Sequence, residues 1–89
     1  KIEKNNGFFL DTLGWIQFKL NEIDQALKTI QLAVELEPNN SEIIDHLGDI
    51  YFKIGRKKEA IYEWNRALIG NADNELQKKI RSKLKKYSK

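Results

Sequence analysis

From residue 8 onward, apolar side chains recur every three or four positions, the spacing of helices that bury one face. Leu10, Leu13, Gly14 and Leu20 share a face of a helix predicted near residues 8–20, and Ile23, Ala26, Leu27, Ile30, Ala33 and Val34 share one near residues 23–36. Ile44, Leu47, Tyr51 and Ile54, then Ala60, Ile61, Trp64, Ala67 and Leu68, mark a second pair of helices. Leu76, Ile80, Leu84 and Tyr87 mark a last amphipathic helix over residues 75–87. Asn21 and Gly55 stand between paired helices and are residue types that adopt the left-handed conformation at low cost. Pro38 with Asn39/Asn40, and the pair Asp73/Asn74, are placed to stop one helix pair and cap the next helix.

The two pairs are copies of one unit. Residues 7–40 laid over 41–74 without a gap give nine identities in 34 positions, among them Asp11/Asp45, Leu13/Leu47, Gly14/Gly48, Phe18/Phe52, Lys19/Lys53, Ala26/Ala60 and Ala33/Ala67. Average residue usage would give about two. A glycine inside a helix costs about 1 kcal/mol against alanine, so its recurrence at 14 and 48 implies close packing. With the four alanines, these glycines let antiparallel helices approach while Leu13, Leu47, Ile30 and Trp64 fill the flanks. Gly48→Leu is accordingly expected to destabilise by about 1–3 kcal/mol through overpacking.

A 34-residue helix-turn-helix with Leu-Gly in its first helix, two alanines seven apart in its second and Pro at its end resembles the tetratricopeptide repeat. Leu13, Gly14, Ala26, Ala33 and Pro38 carry the resemblance in the first unit; Leu47, Gly48, Tyr51, Gly55, Ala60 and Ala67 carry it in the second. Gln17 stands where a tyrosine is usual, Asn21 replaces the turn glycine, and Ala72 replaces the second proline. The resemblance implies an all-α fold, an α-solenoid of stacked antiparallel helix pairs, with units at 7–40 and 41–74 and a basic amphipathic capping helix at 75–89. Residues 1–6, KIEKNN, resemble the tail of an earlier unit such as ELEPNN. With no methionine in the chain, they lead us to expect a piece of a longer array. The wording DTLGW, DHLGD and WNRAL is similar to the closing repeats of bacterial repeat proteins.

The composition sets limits on chemistry. Eighty-nine residues, 40% hydrophobic and 33% charged, make one small domain with a modest core. No apolar run reaches the length of a membrane span, and no signal-peptide pattern opens the chain. Cytoplasmic and exported parents both fit. Cysteine is absent, so thiolate metal sites, disulfides and a cysteine nucleophile are ruled out. The net charge of +3 hides a division: residues 78–89 hold seven basic groups and no acid, leaving nine basic against thirteen acidic groups in residues 1–77.

No catalytic motif assembles from the one histidine and the scattered carboxylates, and nothing calls for a cofactor. His46 lies beside Asp45 and Asp49, but one imidazole and two carboxylates are too few ligands for a metal, so His46 is read as structural. The resemblance points instead to a concave groove lined by the first helix of each unit. Positions matching the groove of the family are Phe8, Asp11, Trp15, Phe18 and Lys19 in the first unit, and Glu42, Asp45, Asp49, Phe52 and Lys53 in the second. Asp11, Asp45 and Asp49 would repel a terminal carboxylate. The expected partner is therefore a protein or peptide segment with basic and apolar side chains. A second expectation is self-association through the apolar face around Phe8, Phe9 and Leu10, since two units fall below the three or so that usually give stability. A third is anion binding by the basic tail to nucleic acid or membrane; Tyr87 is the only aromatic there and no base-reading motif accompanies it, so the tail reads first as a solubilising cap.

Overall fold

The computed structural model describes residues 6–88 and forms five helices: α1 (Gly7–Lys19), α2 (Ile23–Leu36), α3 (Ser41–Lys53), α4 (Lys57–Ile69) and α5 (Asn74–Tyr87). Residues 1–5, expected to continue the tail of an earlier unit, and Lys89 lie outside the described residues.

Side chains that compete for the backbone begin each odd-numbered helix. Asn6 Oδ1 accepts from the amides of Phe8 and Phe9 (2.9 and 3.1 Å), Asn40 Oδ1 from Ile43 (3.1 Å) and Asp73 Oδ1 from Leu76 (2.9 Å). The N-cap of α5 is thus Asp73, one residue ahead of Asn74, the repeat equivalent of the Asn40 cap. The turns inside the pairs are equally local. Asn21 (φ 66°) and Gly55 (φ 85°) take the left-handed conformation. The amide after each reaches five residues back, Glu22 to Gln17 O at 2.8 Å and Arg56 to Tyr51 O at 2.9 Å. The left-handed residues donate to Phe18 O and Phe52 O. These are Schellman motifs, and they turn α2 and α4 back along α1 and α3.

Close approach within each pair depends on the missing Cβ. One built on Gly14 would lie 2.6 Å from Cδ1 and Cγ1 of Ile30, and one on Gly48 would lie 2.5 Å from Cδ1 and Nε1 of Trp64. Ala26, Ala33, Ala60 and Ala67 are fully buried in the same seams. Ile43 and Ile50 fill the joint between pairs and Ile80 seats α5, all three closed to solvent. Two expected inward positions differ. Leu20 and Ile54 are 64% and 37% exposed, because each is a C-cap, where the helical period gives way to the turn. Leu10, expected on an open face with Phe8 and Phe9, belongs instead to the core.

Candidate functional site

The last two turns of α1, α3 and α5 converge on one cavity of about 370 Å³, bordered by Trp15, Phe18, Lys19, Asp49, Phe52, Lys53, Trp64, Lys83 and Tyr87. Its walls are rings packed on rings. Trp15 stacks against Phe18 and His46, with centroids 4.9 and 4.2 Å apart. Phe52 lies 4.3 Å from Tyr87 and 5.8 Å from the buried Trp64. Such pairs hold the aromatic surface in place beyond what area burial alone supplies. The cavity floor is therefore held by packing within the chain itself.

The aspartates of the odd helices are occupied within the fold. Asp11 Oδ1 lies 2.6 Å from His46 Nδ1. Lys83 Nζ donates to Asp45 Oδ1 at 2.8 Å and to Asp49 Oδ1 at 2.9 Å, and Trp64 Nε1 donates to Asp49 Oδ1 at 3.2 Å. Asp11 and Asp45 each stand five residues after their N-cap, and each is paired with a basic group of the next odd helix. Burial raises the Asp45 carboxyl above its ordinary value, more than the hydrogen bond from Lys83 lowers it. Burial alone would lower the Lys83 ammonium; the hydrogen bonds and charges of Asp45 and Asp49 together outweigh it and raise the group above its usual value.

The expected groove residues fall into three places. Trp15, Phe18, Lys19, Asp49, Phe52 and Lys53 meet at the cavity. Phe8 borders a separate hollow with Pro38 and Ile69, and Glu42 another with Asp73 and Glu75. Asp11 is turned to His46, and Asp45 is only 4% exposed beneath Lys83. The three aspartates on which a preference for basic ligands rested are thus paired from within. His46 partners Asp11 rather than Asp45 and Asp49, and no group of three ligating side chains occurs among the described residues.

Sequence reasoning placed Trp64 only in the core and did not assign Lys83 to the groove. A signal for Lys83 was present: Leu76, Ile80, Lys83 and Tyr87 are spaced by four, three and four, so the lysine lies on the inward stripe of α5.

The tetratricopeptide repeat family matches residues 9–40, and no curated protein matches the chain. Repeats of this family are generally protein–protein interaction modules and typically non-catalytic scaffolds. The matched segment contains the α1/α2 pair, with its close-approach glycine and left-handed turn, and α3/α4 repeats both features at a 34-residue offset. Residues 9–40 thus match a tetratricopeptide repeat, and the five helices stack in the consecutive antiparallel pairs of an all-α solenoid.

Proposed function

We propose that the chain is a non-catalytic scaffold module that holds a segment of a partner protein in the cavity between the C-terminal turns of α1, α3 and α5. The observation that carries this reading is the preformed aromatic wall of Trp15, Phe18, Phe52 and Tyr87, half-buried yet open to the cavity. A concave, mostly apolar surface with a few fixed polar groups is what a bound side chain needs for anchoring and orientation. The apolar half of the ligand chemistry expected from the sequence fits it. Affinity capture on the chain is to be compared with capture on Trp15→Ala, Phe52→Ala and Tyr62→Ala, with helicity checked by circular dichroism. Partners should be lost from the first two variants and kept by Tyr62→Ala, whose side chain is 65% exposed away from the cavity. Equal recovery on all three refutes the assignment.

A second reading, self-association, is favoured by a specific contrast. Phe9 and Ile16 are 38% and 51% exposed, whereas Ile43 and Ile50, their counterparts 34 residues on, are 1% and 0% exposed. The surface that α1/α2 covers on α3 is left open on α1. Sedimentation across concentration tests it, with Phe9→Lys/Ile16→Lys as the variant that should remain monomeric; a parent that is monomeric at every concentration excludes it.

A further inference from the structure

We propose that the cavity accepts an acidic segment of its partner, one that carries aspartate or glutamate side chains on either side of a large apolar residue. The inference rests on the groove reading above and adds the charge of the occupant, reversing the sign expected from the sequence.

Three ammonium groups border the cavity, those of Lys19, Lys53 and Lys83, against the single carboxylate of Asp49. That carboxylate is spent: both its oxygens accept from Lys83, at 2.9 and 3.2 Å, and Oδ1 also accepts from Trp64. Lys83 is likewise spent on Asp45 and Asp49. Lys19 and Lys53 remain. Both are exposed, and among the described residues neither makes an ion pair. Lys19 Nζ stands 5.2 Å from the Trp15 ring centre, at the edge of the aromatic wall. A basic partner would meet uncompensated like charge at this rim, and an acidic one would find two ammonium groups beside an apolar slot.

The repeat also sets the two free lysines at equivalent places. Lys19 and Lys53 occupy the same position, the last residue, of two packed odd helices. The matching segment presents carboxylates to Lys19 and Lys53 and an apolar side chain to Phe18 and Phe52. Single-stranded nucleic acid, the other anionic polymer, binds by stacking bases on open aromatic faces. Here Trp15 is stacked on Phe18 and His46, and Phe52 is packed on Tyr87 and Trp64. The observations therefore favour a peptide.

The test is selection of a random twelve-residue peptide display library on the 89-residue chain at low salt, then titration of synthetic peptides and of a poly-U oligonucleotide. Selected peptides should be rich in Asp and Glu flanking Phe, Leu or Trp. Their affinity should fall with added salt and drop about tenfold or more on Lys19→Glu/Lys53→Glu. Phe18→Ala should weaken them as well. Selected peptides rich in Lys and Arg that still depend on Phe18 would overturn the charge assignment and leave the groove reading standing. Peptides indifferent to Phe18 and to both lysines, or no enrichment, would overturn both. Tight, lysine-dependent binding of the oligonucleotide in place of peptides would replace the proposal with nucleic-acid binding.

Discussion

Gly48→Ala adds one methyl group to a helix and should nevertheless destabilise the protein. The new Cβ would stand 2.5 Å from Cδ1 and Nε1 of Trp64 and 3.2 Å from Cε2, whereas carbon atoms pack comfortably at about 3.5–4.0 Å. The indole has little room to retreat. It is 1% exposed, lies against Phe52 and Tyr87, and its N–H is engaged by Asp49 at 3.2 Å. Helix propensity favours alanine by about 1 kcal/mol. Overpacking costs about 1–3 kcal/mol, and a weakened hydrogen bond to a carboxylate costs about 1.5 kcal/mol more. The net is a loss of about 2 kcal/mol, which for a domain of this size lowers Tm by about 10 °C. Urea and thermal unfolding monitored by far-UV circular dichroism read it directly. Trp64→Phe in the same chain should recover part of the loss, since a smaller ring relieves the contact, and a double-mutant cycle measures that coupling. A Gly48→Ala protein as stable as its parent, or more so, would refute the close-approach account of both glycines.

Other outcomes rest on the same contacts. Gly14→Ala should cost less than Gly48→Ala in the same urea titration, because the obstructing atoms belong to an aliphatic side chain, Ile30, and not to an indole hydrogen-bonded to a carboxylate. Asn21→Gly should stabilise by about 0.5–1 kcal/mol, since φ is 66° there and glycine adopts that value without strain. His46→Ala should loosen α1 from α3 by about 1–2 kcal/mol, seen as faster amide exchange in α1, because it removes the stack on Trp15 and the contact with Asp11. Lys83→Met should cost about 2 kcal/mol at neutral pH by stranding the buried Asp45. Burial already raises that carboxyl above its value in the unfolded chain, so the folded state binds the proton more tightly and this group's contribution to stability falls as pH rises through the acid range. Without the lysine that fall should steepen. Urea midpoints measured from about pH 3 to 7 should show the deficit of Lys83→Met shrinking on acidification, and a deficit independent of pH would refute the assignment.

The fold was legible because its punctuation is chemical. Asn6, Asn40 and Asp73 cap, Asn21 and Gly55 turn, and the recurrence of Gly14 at Gly48 gives the register of one pair against the other. Leu20 and Ile54 misled because periodicity alone does not say where a helix stops. The candidate site was legible in what α1 and α3 contribute to the cavity, and not in what α4 and α5 add or in how its charges pair. Trp15, Phe18 and Phe52 project where the spacing places them, but the charge of the groove depended on long side chains reaching between helices. Lys83 and Asp45 are 38 residues apart, and no local pattern states that an ammonium will settle on two aspartates of α3. Pairing within the fold occupies the acids that a count along α1 and α3 left free.

The recurring aspartate gives the stack a direction. In α1 and α3 the fifth residue after the cap is an acceptor, answered by an imidazole or an ammonium from the next odd helix; in α5 the same place is held by Lys78, which is exposed. A joint made this way can be copied only from the inside. Splicing a second copy of residues 41–73 between α2 and α3 would give every His46 an aspartate to meet, whereas the same hairpin attached beyond α5 would confront ammonium with imidazole. An engineer lengthening this rod should cut at Asn40 and leave its basic end untouched.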